Sequence, residues 1–331
     1  MRMSTLRKKT APEFPDGLTW MNSGVRTMAA LRGKPVLVDL WTYSCVNCVR
    51  SVPRIQMWHE KYKKAGLTVI GIHSPEFDFE KDEKNVARAI SALGITYPVV
   101  LDPEFIMWEG YSNKYWPHTF LIDHHGAIVY DHAGEGAASE TEQAIVSALQ
   151  AVGATKLPPI APEVSLHDGS CYRPTPELYL GYLRGSIGNA VNVLPETEEA
   201  LTDSGKHEDD IPYLHGHWRI SGEYIEHTRS LPVASEYIAL KYHAFSVNLV
   251  LGALDDREVV VDVTLDGAPI PANMAGKDVV IDRSGNTHLH VSVHRMYNII
   301  HADNYHNAAL KLLVKNAGVK CYVFTFGGCK A

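Results

Sequence analysis

The stretch Lys34-Pro35-Val36-Leu37-Val38-Asp39-Leu40-Trp41-Thr42-Tyr43-Ser44-Cys45-Val46-Asn47-Cys48 decides the fold. Its first half is an apolar run of strand length, and residues 45–64 read as a helix that Gly66 ends. A strand running into a helix puts Cys45 at the helix start, where unpaired backbone N–H groups and the positive end of the helix dipole stabilise a thiolate. Cys48 follows one turn later, close enough to resolve a disulfide formed at Cys45 but more buried. Asp39 stands alone as a carboxylate inside the strand. Burial there disfavours its charged form, which makes it a candidate acceptor for the Cys48 proton.

Working outward, residues 34–152 alternate strand and helix, the pattern of a sheet flanked by helices. Further strands are expected at 67–72, 99–101, 119–122 and 127–130, with helices at 80–93 and 139–152. Asp123-His124-His125-Gly126 reads as a hairpin turn. Pro53 falls inside the first helix, where proline kinks it, and Trp116-Pro117 precedes a strand in a position where a cis bond would lie against the dithiol.

The stretch Leu157-Pro158-Pro159-Ile160-Ala161-Pro162 cannot continue a helix or enter a sheet interior. It divides the chain into an α/β domain (1–157), a linker (158–164) and a second domain (165–331) made of short β-rich runs separated by Gly, Asp and Asn turns. That texture predicts an all-β jelly roll or β-sandwich. The 331 residues suit two cores, at about 100–200 residues per domain.

A net charge of −7, with no basic block beyond Arg7, Lys8 and Lys9, argues against nucleic acid as a partner. No apolar run reaches the length of a membrane span, and Pro12, Pro15 and Asp16 stand where a signal peptide would be apolar, so a soluble chain without a visible export address is expected. The five cysteines leave at least one unpaired. With one Cys-x-x-Cys and no second pair at ligand spacing, no metal is expected, and the redox-active group is the Cys45–Cys48 couple itself, without a cofactor. Cysteine usage leaves the compartment open. Cys171 with Cys329, Cys171 with Cys321, or three free thiols all fit the sequence.

The run from Val36 to Trp41 leading to Cys45-Val46-Asn47-Cys48 and Pro53, with Trp116-Pro117 and Phe120-Leu121-Ile122-Asp123 later, resembles the TlpA/redoxin branch of the thioredoxin superfamily. The resemblance implies a thioredoxin fold, thiol–disulfide exchange, Cys45 as nucleophile, Cys48 as resolving thiol, Asp39 as buried acid/base and Pro117 as a cis-proline. In the second half, Thr175-Pro176-Glu177-Leu178-Tyr179-Leu180-Gly181-Tyr182, Val263-Thr264-Leu265-Asp266-Gly267 and Tyr322-Val323-Phe324-Thr325-Phe326-Gly327 resemble the carboxy-terminal region of DipZ-type proteins. That resemblance implies a carbohydrate-binding-module-like jelly roll, an extracytoplasmic location, protein thiols and disulfides as substrates, and a membrane electron-transfer protein as donor. Val46-Asn47 between the cysteines leaves the direction of electron flow open, and a cytoplasmic location is the alternative.

Trp41, Tyr43 and Trp116 are candidates for the substrate groove, although aromatics beside an apolar strand are as often core. Thr42, three residues before Cys45, is half of a peroxiredoxin motif, with Val38 where that motif has proline. Peroxide reduction is therefore a second enzymatic reading. A third is a chiefly glycan-binding module, with Trp218, Tyr224, Tyr237 and Tyr242 as sugar-stacking candidates. Eleven of 17 histidines lie from His167 onward, with His215-x-His217 and His288-x-His290 each on one strand face, a pattern expected to be surface or core rather than a metal site.

Overall fold

The computed structural model describes residues 9–24, 26–160, 171–191, 193–231 and 234–330. Its first elements are β1 (Trp20–Met21), β2 (Val36–Trp41), α1 (Val46–Tyr62), β3 (Thr68–His73), α2 (Glu83–Ala92), β4 (Val99–Leu101), α3 (Ile106–Tyr111), β5 (His118–Ile122), β6 (Ile128–Ala133) and α4 (Ala138–Ala151). They build a six-stranded sheet in the order β1-β4-β3-β2-β5-β6. Strands β2, β3 and β4 run parallel, and β1, β5 and β6 pair antiparallel to their neighbours. This is the thioredoxin-like arrangement expected.

Every residue of β2 is buried, because helices cover both sheet faces. Period-two alternation sorts its side chains. Leu37 and Trp41 pack with Val52, Ile55 and Tyr62 of α1 and with Ile145 and Leu149 of α4. Val36, Val38 and Leu40 pack on the opposite side with Met107, Tyr111 and Phe120. Asp39 therefore points toward the α1 side. Helix α1 tightens into a 3-10 turn and stops at Gly66, whose φ of 108° is the left-handed conformation glycine tolerates.

Two local expectations change. The helix expected at 80–93 is a short 3-10 turn (Asp78–Lys81) followed by α2, because Asp82 leaves the helical region and caps α2 by accepting the Lys84 N–H at 2.8 Å. Helix α3 and the two-residue β1 are additional. Leu157 and Ile160 pack on the first core, and Lys61 Nζ donates to the Pro159 carbonyl at 2.7 Å. Residues 161–164 of the expected linker lie outside the described residues. The chain forms two compact units, Met1–Val164 and Ser165–Ala331.

The second unit is all-β. Its strands are β7 (Leu178–Tyr179), β8 (Glu198–Leu201), β9 (Pro212–Ile220), β10 (Ile225–His227), β11 (Glu236–Ala253), β12 (Val259–Leu265), β13 (Ala268–Pro269), β14 (Val279–Ile281), β15 (Thr287–Val291), β16 (Arg295–Val314) and β17 (Val319–Gly327). In place of only short runs, β11 is one strand of 18 residues, and β16, of 20 residues, pairs along it with a bulge near Ala244. The first part of β11 pairs with β9 and the later part with β17. Leu240, Leu249, Val263, Leu312 and Phe324 lie in the core that these strands enclose. Cys171 is bonded to Cys329, and Cys321 is a buried free thiol.

Candidate active site

Cys45 is the residue immediately before α1, with an extended backbone (φ −77°, ψ 119°), and its carbonyl accepts the Val49 N–H at 3.0 Å. It thus starts the helix while its own side chain stays partly exposed. Pro53 lies within α1 and has no N–H for the Val49 carbonyl. The Trp116–Pro117 peptide bond is cis. The Cys45 thiol donates to the Trp116 carbonyl at 3.9 Å, so strand-to-helix junction and proline turn meet at this sulfur.

Cys48, inside the first turn of α1, is buried and is a free thiol, as is Cys45. Burial first, then the hydrogen bond and charge of Cys45, push its thiol well above the ordinary range. Asp39 contributes a further upward push, which places its carboxyl within electrostatic reach. Asp39 itself is 1% exposed. Burial raises it to about 7, while the Thr119 hydroxyl, donating at 3.4 Å from the neighbouring strand, pulls it back down. A carboxyl balanced near neutrality beside a thiol reluctant to ionise is an acid/base arrangement.

Gly71 pairs with Asp39 across β2 and β3. A Cβ there would come within 2.9 Å of Trp41 Nε1 and 3.1 Å of the Tyr97 ring, so the absent side chain makes room for these groups beside Asp39. Tyr97 is fully buried, and burial, followed by the charges of Asp39 and Cys48, raises its hydroxyl. His73, stacked on Tyr43 at 5.6 Å and edge-on to Trp41 at 5.1 Å, is held neutral, with burial taking its imidazole down to about 3.

Of the three groove candidates, Trp116 alone stays partly exposed at the site. Its ring lies 4.2 Å from that of Trp108, and its indole N–H donates to the Ser74 carbonyl at 3.0 Å. The expectation for Trp41 and Tyr43 is corrected. Trp41 is 0% and Tyr43 6% exposed, because strand alternation aims Trp41 into the α1 core and Tyr43 packs between His73 and Phe79. They form the floor under the dithiol rather than its rim.

Sequence reasoning missed Glu80. Its carboxylate is buried and accepts the backbone N–H of Ser44, the residue before Cys45, at 3.1 Å. Burial raises it to about 7, with hydrogen bonds opposing. The one trace in the sequence is an acid closing the aromatic-rich Phe77-Asp78-Phe79-Glu80. The backbone N–H of Glu76 donates to the same carboxylate at 2.6 Å.

In the second unit, Trp218 and Tyr242 are core residues, 0% and 2% exposed. Tyr237 lies under Lys311 and donates to Asp203. Trp218 and Tyr242 are therefore core filling rather than a sugar-stacking surface. His217 pairs with Glu236, and His290 with Glu258.

Residues 7–149 match the family described as Redoxin, and residues 175–327 the family described as Thioredoxin like C-terminal domain. Protein DipZ of Mycobacterium tuberculosis and of Mycobacterium bovis is 33% identical over 287 residues, covering 81% of this chain and 38% of DipZ. The chain thus spans well under half the length of these relatives. Thiol-disulfide oxidoreductase YkuV of Bacillus subtilis is 24% identical over 127 residues, 38% of this chain and 85% of YkuV. A crystal structure of a thiol:disulfide interchange protein DsbE from Chlorobium tepidum superposes with a TM-score of 0.39 at 25% identity, covering 44% of this chain and 99% of that one.

Proposed function

We propose that this chain, which belongs to the redoxin branch of the thioredoxin superfamily, exchanges disulfides with the cysteines of other proteins through Cys45 and Cys48. The observation that carries this reading is a partly exposed thiol at a helix start, one turn before a second, buried thiol that lies within electrostatic reach of a carboxyl raised by burial to about 7.

The Cys45 thiolate attacks one sulfur of a substrate disulfide, forming a mixed disulfide and releasing the other sulfur as a thiolate. The Cys48 thiol then gives its proton to the Asp39 carboxylate and attacks the Cys45 sulfur. The bond between Cys45 and the substrate breaks, the substrate leaves as a second thiolate, and the chain keeps a Cys45–Cys48 disulfide. Two electrons have passed from the dithiol to the substrate; run backward, the same steps oxidise a substrate dithiol. The Trp116 carbonyl and Pro117 form the wall against which the substrate strand lies, next to the attacking sulfur.

Resemblance to DipZ supports a membrane electron-transfer protein as the redox partner, and the Cys171–Cys329 disulfide supports an extracytoplasmic, oxidising location. Among the described residues no helix is long and apolar enough to cross a membrane.

Reduction of a disulfide-bonded protein such as insulin tests the reading. Cys45→Ser abolishes turnover, whereas Cys48→Ser attacks normally and accumulates a mixed disulfide visible by mass spectrometry. Turnover that survives Cys45→Ser overturns it.

A further inference from the structure

The segment that follows β3 reaches both walls of the dithiol site. On one side, the Ser74 carbonyl takes the Trp116 indole N–H, and the Ser74 hydroxyl donates at 2.9 Å to Asp102, itself fully buried. On the other side, Glu80 is 1% exposed, and its two oxygens divide three backbone amides between them. Oε1 accepts from Ser44 at 3.1 Å, and Oε2 accepts from Glu76 at 2.6 Å and from Phe77 at 3.1 Å. Only a carboxylate offers acceptors on both limbs; a glutamine would turn an NH2 group toward an N–H donor.

A buried carboxylate is a poor source of folding stability, since taking it out of water opposes what its hydrogen bonds return. Here it is directed at the backbone amide that abuts the nucleophile. Tyr43, within the same turn, is gripped between His73 and Phe79, which belong to β3 and to the segment after it. The turn before Cys45 is thus held by polar and aromatic contacts from one source.

Building on the disulfide-exchange reading above, we propose that Glu80 is a positioning residue for Cys45. Its carboxylate fixes the turn of residues 42–44 to the segment that also holds Trp116, so that the Cys45 sulfur is presented beside the Trp116 carbonyl. Asp102 anchors the far end of that segment by accepting from Ser74.

The test compares Glu80→Gln with the unmodified full chain in reduction of a disulfide-bonded peptide, with rates normalised to the titratable Cys45–Cys48 dithiol. A misaligned attacking group lowers kcat by about ten-fold or more while KM stays within about two-fold, because the Trp116 and Pro117 wall is untouched. An unchanged kcat per titratable dithiol, or a change in KM alone, overturns the assignment. Hydrogen exchange on the unmodified chain decides the matter even if the variant fails to fold: the Ser44 amide is expected to exchange as slowly as the amides of β2, and exchange at the rate of an open loop overturns the proposal. If the unmodified Cys45 attacks no disulfide, the functional reading itself falls. If it attacks and Glu80→Gln matches it, the Glu80 assignment alone falls.

Discussion

Asp39 and Cys48 are both buried, and the charge of Asp39 makes ionisation of Cys48 harder. Their coupling has a kinetic consequence. In the mechanism proposed above Asp39 accepts the Cys48 proton, so Asp39→Asn is expected to leave attack by Cys45 intact and to slow release of the mixed disulfide by about a hundred-fold or more at neutral pH. Stopped-flow reduction of a mixed disulfide checks this, and an unchanged release rate would exclude Asp39 as the base. There is also a consequence for stability. In the unfolded chain Asp39 ionises near its ordinary value of 3.8, in the fold only at about 7, so the fold loses stability as pH rises through that window. Asp39→Asn is therefore expected to match the parent near about pH 4 and to exceed it by up to ~4 kcal/mol above about pH 8. The difference between the two proteins is the quantity to measure, because His73, held neutral by burial, weakens the parent fold toward acid with the opposite sign. The placement of Asp39, Cys45 and Cys48 at one strand-to-helix junction was legible because all three lie within ten residues. Glu80 was not, since the Ser44 amide it accepts lies 36 positions away.

At the scale of elements, the strand–helix junctions carry the site and tolerate little added volume. Gly71→Ala drives a methyl against the Trp41 indole and the Tyr97 ring, both rigid and packed. Overpacking of this kind costs about 1–3 kcal/mol, and denaturant titration of the full chain should report it together with a disturbed Asp39 titration; a neutral effect would mean that the niche is looser than the structure has it. Elements with strong local signals were read correctly in kind. The apolar run of β2 and the glycine stop after α1 are examples. Helix α3 was invisible because it owes its start to Asp102, whose carboxylate accepts the Met107 and Trp108 N–H groups at 2.9 Å after Phe105 has taken a left-handed φ of 59°. Strand β16 was invisible for a different reason. The run His301, Asp303, Asn304 and His306 breaks its apolar pattern, and pairing along β11 holds it extended where propensity would not.

At the scale of the whole molecule, the Cys171–Cys329 bond closes a loop across 158 positions and ties the two ends of the second unit together. Restricting so long a segment in the unfolded chain stabilises that unit by about 5 kcal/mol in the chain-entropy account. Calorimetry of the full chain carrying Cys171→Ser and Cys329→Ser is expected to lower the transition of the second unit and leave that of the first unmoved; an unshifted second transition would mean that the disulfide does not hold it. The sequence by itself determined the α/β alternation of the first half and the β-rich texture of the second, because these rest on periodicity and on side-chain chemistry a few residues apart. Tertiary structure alone decided which cysteine joins Cys171, that Trp41 and Tyr43 form the floor of the site, and that Glu80 reaches the turn before Cys45. Those outcomes depend on which distant segments share a sheet face, and burial, not residue type, sets their roles.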